Sequence, residues 1–198
     1  EDGRKSTIAF FSLEMSSEQL STRILAEQSR IKSNDIRRGK ISEEQFDKFI
    51  ETSKNISELP LFIDETPAIN IAALSNRARR IKRLFGLDMI VVDYIQLMRG
   101  TFNNRDGRVQ EISEITQGLK AIAKELSIPV VALSQLSRAV EQRDDKKPIL
   151  ADLRELFNLK ISGLSFFKIF SAVLFLLIVK LCMICGKGLK RLEKVDNF

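Results

Sequence analysis

The chain has 198 residues, enough for one domain with a sizeable core, and no histidine, so a histidine base or a histidine-ligated metal is excluded. Its net charge of +6 is unevenly placed: residues 156–198 carry seven basic and two acidic residues, leaving 25 and 24 for residues 1–155. The first 155 residues are therefore nearly neutral, and any nucleic-acid contact there must come from locally placed arginines.

The opening "EDGRKSTIAFFS" starts on acids and lacks the apolar length of a signal peptide. "STIAFFSL" (Ser6–Leu13) is short, apolar and bounded by polar residues, which predicts a buried strand. Ser16 and Gln19 have capping-box spacing and predict a helix with Leu20, Ile24 and Ile31 nearby. Ser42 and Gln45 repeat that spacing, with Phe46, Phe49, Ile50 and Ile56 expected along one face. "PLFID" predicts a strand over Leu61–Asp64. "NIAALSNRARRIKRLFG" predicts a helix stopped by Gly86, its basic run read as a solvated face.

Met89–Tyr94 is the most hydrophobic predicted strand. Val109, Ile112, Ile115, Leu119, Ile122 and Leu126 then recur at three- and four-residue steps, predicting a long helix. "IPVVALSQ" predicts a further buried strand. Strands that are apolar runs, alternating with helices, imply an α/β fold whose mostly parallel sheet is covered on both faces. Right-handed crossovers place the C-terminal strand ends on one edge, where Glu14, Asp93 and Gln135 fall and where such sheets bind ligands. Two carboxylates and an amide at equivalent strand ends suit a nucleotide-hydrolysing site: one acid for magnesium, one for water, and an amide that senses a γ-phosphate. The partner motif G-x-x-x-x-G-K-[ST] occurs nowhere in the chain.

"FFSLEMSSEQLSTRILAEQS", "LPLFIDETPAINIAALSNRARRIKRLFGLDMIVVDYIQLM", "RVQEISEITQGLKAIAKELSIPVVALSQLSRAVEQR" and "PILADLRE" together resemble the C-terminal ATPase domain of the DnaB-type replicative DNA helicases. The likeness runs in register from about Ser6 to Glu155. It implies a RecA-like (P-loop NTPase type) fold, incomplete here because the family's phosphate loop lies just upstream of the first strand and the chain is expected to begin after it. It also implies ATP and Mg2+ as cofactors, single-stranded DNA as partner, a homohexameric ring, primase and other replication-fork proteins, and a cytoplasmic location.

Carried over position by position, Glu14 corresponds to the water-activating glutamate. Asp93 corresponds to the acid that holds magnesium through a water, and Gln135 to the nucleotide-sensing residue. Arg154 and Glu155 correspond to the start of a DNA-contacting loop. Arg138 and Arg143 are further DNA-contact candidates, ranked below Arg154 because exposed loop charges would look the same.

The likeness stops between Glu155 and Leu156, dividing the chain into a partial ATPase core (1–155) and an unrelated apolar, basic tail (156–198). Translation of a shifted reading frame is the favoured account of the tail. A membrane anchor is the rival: Ile169–Val179 is only 11 residues long, short of the ~20 that span a bilayer. Cys182 and Cys185 read as small apolar residues rather than a metal pair. The expected function is thus a fragment of a replicative helicase, inactive alone. The alternatives are a non-catalytic subunit docked into a helicase ring, or another RecA-like ATPase of repair or recombination.

Overall fold

A computed structural model describes residues 6–100, 107–134 and 190–191. In chain order the elements are β1 (Ile8–Ser12), α1 (Ser17–Ser29), α2 (Ser33–Arg37), α3 (Glu43–Ser57), β2 (Leu61–Asp64), α4 (Ile71–Phe85), β3 (Met89–Asp93), a 3-10 turn (Ile95–Leu97), α5 (Arg108–Leu126), β4 (Val130–Ala132) and β5 (Lys190–Arg191). All strand pairs are parallel, in the order β4-β3-β1-β2-β5. Only the backbone pairing of β5 with β2 is described.

The apolar strand runs follow from burial on two faces. Alternate residues of each strand point to opposite sides. Ala9, Phe11, Phe62, Ile90, Val92, Val130 and Ala132 face a layer containing Leu74, Ala78 and Ile81 of α4 and Ile112, Ile115, Leu119 and Ile122 of α5. Ile8, Phe10, Leu61, Ile63 and Val91 face Leu20 and Ile24 of α1 and Ile56 of α3. Each of the Val, Leu, Ile and Phe side chains among them, fully buried, stabilises the fold by about 1.5–3 kcal/mol. The connection from β1 to β2 thus runs on one face. Those from β2 to β3 and from β3 to β4 run back the other way on the opposite face, as crossovers of uniform hand require.

Both expected capping boxes form. Ser16 accepts from the Gln19 amide and Ser42 from the Gln45 amide, each at 3.2 Å, while the glutamine side chains accept from the cap amides. Such a cap is worth about 1 kcal/mol. Gly86 caps α4 with a positive φ of 72°.

Ile31 is buried just beyond α1, whose C-cap Arg30 is left-handed. Two details differ from the sequence reading. The short α2 was not anticipated. On α3, Ile56 is buried, but Phe46 and Ile50 stand 49% and 39% exposed, so the expected apolar face covers the sheet only at its C-terminal end. The basic run of α4 is partly paired: Arg77 binds Asp64 and donates to Thr66 Oγ1 at 2.5 Å, and Arg79 forks onto Glu125 of α5 at 2.6 and 2.8 Å.

The start of α4 and the middle of α5 approach closely at Gly118, where an added Cβ would lie 2.3 Å from Ile71 Cγ1. Gly118→Ala is expected to lower stability by about 1–3 kcal/mol through overpacking, read as a lower urea midpoint. Adding Ile71→Val should recover part of the loss if this contact is the cause.

Candidate nucleotide site at the sheet edge

β1 and β3 are neighbours in the sheet but send their following connections to opposite faces. In open parallel sheets such a reversal leaves a crevice outside the strand ends, the usual ligand site. Ser12 pairs with Asp93 at the last register position, and the Leu13 amide donates to the Asp93 carbonyl at 2.9 Å, carrying the pairing one residue further. The next residue is Glu14. The two acids singled out in the sequence therefore leave adjoining strands side by side at this crevice.

Small polar contacts hold the segment bearing Glu14. Ser12 Oγ donates to the Met15 carbonyl at 2.7 Å, and the Ser17 amide, first in α1, donates to Glu65 Oε2 at 2.5 Å. Glu65 follows β2, whose last residue, Asp64, is buried, accepts from the Thr66 amide at 2.9 Å and binds Arg77. The end of β2 is thus braced against both α4 and the start of α1.

Electrostatics separate the two acids. Glu14 is exposed, whereas Asp93 is half-buried. Burial first, and the Glu14 carboxylate second, push the Asp93 carboxyl above its ordinary value, while Arg23 of α1 acts the other way. Tyr94, joined to Asp93 by a cis peptide bond, is shifted upward by burial, by Glu14 and by Asp93. A desolvated acid beside a second acid is a place where a cation is favourable. Among the described residues no group of three or more potential ligands could hold a metal. Magnesium commonly takes one or two carboxylates together with phosphate oxygens and waters, so Asp93 fits it as part of a nucleotide complex rather than as a protein cage.

Beyond Asp93, the Ile95 amide donates to the Leu133 carbonyl at 3.0 Å, and Gln96 Nε2 donates to Ser134 Oγ at 2.8 Å. The ends of β3 and β4 are therefore tied together next to the expected sensor. Gln135 itself lies outside the described residues, as do Arg138, Arg143, Arg154 and Glu155 and the tail apart from β5, that is, residues 156–189 and 192–198. Among the described residues no helix is long and apolar enough to cross a membrane. The sequence reading missed Asp64, a strand-end acid on the same edge that the rule used for Glu14 and Asp93 would have found. It also missed Arg23, Glu65 and Gln96, whose partners are distant in the chain.

Comparison with known proteins shows the family of the chain. Residues 2–161 match the DnaB-like helicase C terminal domain. The chain belongs to that family. The replicative DNA helicase DnaB of Rickettsia typhi is 58% identical over 149 residues, which are 75% of this chain and 30% of that protein. DnaB of Geobacillus stearothermophilus is 45% identical over 148 residues, 75% of this chain and 33% of that protein.

The chain thus spans about a third of the length of these relatives. Among solved structures, a DnaB-like replicative helicase described with its interactions with primase superposes with TM-score 0.71 at 33% identity, over 76% of this chain and 36% of that one. A second solved ATPase domain superposes with TM-score 0.69 at 33% identity, over 76% and 54%. The expected α/β fold with a parallel sheet is therefore that of the DnaB ATPase domain.

Asp93 generates a stability test. A carboxyl whose folded value is raised favours the fold when protonated, and that contribution is lost as pH rises through the raised value. Asp93→Asn, measured in chelator, is expected to melt above the parent chain at pH 7. The gap should close as pH falls below the ordinary carboxylate range. A variant that melts lower at pH 7 would show that the Asp93 charge is compensated in the fold.

Proposed function

We propose that this chain is part of an ATP-dependent replicative DNA helicase, contributing the half of a nucleotide site that carries the acids. The observation behind the reading is the convergence of Glu14 and Asp93 on adjoining strand ends at the point where the sheet's connections reverse. In this reading Asp93 orients a magnesium ion through a water, and Glu14 accepts a proton from the attacking water. Gln135 senses the γ-phosphate, and Arg154 and Glu155, with Arg138 and Arg143 as weaker candidates, contact single-stranded DNA. Magnesium's contribution is to neutralise charge on the phosphate oxygens as the bond to the γ-phosphate breaks.

The difference in burial between the two acids suits these roles. Glu14, exposed on a braced turn, meets water directly. Asp93, partly withdrawn from solvent, is the better seat for a cation. Assembly as a homohexameric ring, contact with primase and fork proteins, and a cytoplasmic location come with this reading. We keep residues 156–198 as a reading-frame product, although Lys190–Arg191 pairs with β2 at the edge of the sheet and the family match runs six residues past Glu155, to residue 161.

The 198 residues themselves contain no G-x-x-x-x-G-K-[ST]. Backbone amides and a lysine around the phosphates supply most of the grip on a nucleotide. The chain alone is therefore expected not to bind ATP-magnesium at micromolar concentration by isothermal titration; saturable binding would overturn the claim that the grip lies elsewhere. Fusing a phosphate-loop strand and helix upstream should restore binding and hydrolysis. In that fusion, Glu14→Gln should lower kcat by about 10²–10⁴-fold with nucleotide affinity kept, and Asp93→Asn should lose most of the magnesium-dependent rate. Hydrolysis in Glu14→Gln at the parent rate would sink the assignment of Glu14.

A further inference from the structure

Glu14 stands two residues past the end of β1 and two before Ser16, the cap of α1. Its place therefore depends on how the start of α1 is fixed against the sheet edge. The cap itself is local: Ser16 Oγ accepts from the Gln19 amide at 3.2 Å, and the Leu20 amide donates to the Ser16 carbonyl at 3.0 Å. The first amide of the helix is held from far away. Ser17 is buried, and its amide donates to Glu65 Oε2 at 2.5 Å across 48 positions of chain. The N-terminus of a helix attracts carboxylates. Glu14 and Glu18 are nearer in sequence, yet the carboxylate that takes this amide is Glu65.

Glu65 is itself held by its neighbours. Asp64, the register partner of Phe11, is buried, accepts from the Thr66 amide at 2.9 Å and binds Arg77. Arg77 also donates to Thr66 Oγ1 at 2.5 Å. The Glu65 carboxylate thus projects from a turn clamped by α4, beside the strand that leads to Glu14. We propose that Glu65 is a positioning residue for Glu14. By holding the first amide of α1, it sets the turn of residues 13–16 from its far side, while Ser12 Oγ on the Met15 carbonyl sets it from the near side. It also occupies the positive end of α1, which would otherwise draw the Glu14 carboxylate onto the helix and away from water and Asp93. The purpose of this placement rests on the nucleotide-site reading, in which Glu14 accepts a proton from the attacking water.

Amide exchange and 15N relaxation of the labelled full chain test the placement. Glu65→Ala is expected to speed exchange at the Ser17 amide by about tenfold. It should also lower the order parameters of Glu14 and Met15 from the roughly 0.85 of rigid backbone toward 0.6. The amides of Phe10 and Val91, inside the sheet, should keep their protection. Glu65→Gln, which retains an acceptor for Ser17, should return Glu14 and Met15 close to the parent values. A Glu14 order parameter that stays at the parent value in Glu65→Ala would overturn the proposal. So would protection lost equally at Phe10 and Val91, which would assign Glu65 to stability alone. Loosening in Glu65→Gln as complete as in Glu65→Ala would overturn the hydrogen bond as the means.

The purpose is read separately, in the full chain fused to a phosphate-loop strand and helix. There Glu65→Ala is expected to lower kcat by about 10²-fold, the cost of a misplaced reacting group, with the KM for ATP unchanged and with Glu65→Gln close to the parent. Parent-level kcat in Glu65→Ala would overturn the link to hydrolysis. A parent fusion that does not hydrolyse ATP would overturn the nucleotide-site reading, while exchange and relaxation still decide whether Glu65 places Glu14.

Discussion

The pairing of β1 with β3 is the constraint on which the rest of the structure depends. β1 is buried along its whole length and hydrogen-bonded on both sides, to β2 and to β3. Its register with β3 fixes two things at once. It sets which alternate side chains enter which of the two cores. It also sets Ser12 opposite Asp93, so the chain leaving β1 must pass the Asp93 carboxylate. A shift of one residue would exchange the two faces of β1 and move Glu14 away from Asp93 together. Site geometry and core packing are therefore specified by the same hydrogen bonds, and the site cannot drift without the core being undone.

The fold was largely legible because both strand faces are apolar and the helices have clear starts. "IAFFS", "LFID" and "MIVVD" carry no competing helical period, and Ser16, Ser42 and Asn70 each precede a helix with a side chain that accepts a backbone amide. Reading failed where burial depends on partners rather than pattern. The apolar residues of α3 have helical spacing, yet Phe46 and Ile50 stay exposed, because spacing defines a face without saying what will cover it. The left-handed turn at Arg30 ends α1 and returns Ile31 to the interior just beyond it.

Glu14 and Asp93 were legible because each stands at the C-terminal end of a strand, and strand ends on one edge of a parallel sheet converge by topology alone. Their shared crevice needed the strand order, which the sequence does not print: adjacency of β1 and β3, rather than of β2 and β3, makes Asp93 the neighbour of Glu14. The supporting contacts were illegible for a different reason. Glu65 with Ser17, Arg77 with Asp64, and Gln96 with Ser134 join residues 13 to 48 positions apart. Each of those side chains has an ordinary surface role as its default, and only the packed elements select the partner.

These supports explain how the edge can be polar and still defined. The Glu14 turn is held before and after the glutamate, by Ser12 Oγ on Met15 and by Glu65 on Ser17, and neither contact uses the Glu14 carboxylate. That group is placed without being buried, so it remains open to water. Asp93 is placed by the strand itself and loses part of its solvation there, a cost that the Glu14 charge increases and Arg23 only partly offsets. Two carboxylates that differ in environment can divide two tasks, one exchanging protons with solvent and the other favouring a cation, whereas two in the same environment would compete for both. The asymmetry comes from one residue being in the sheet and the other two positions past it. Strand length, set by the apolar run, is thereby what separates the two environments.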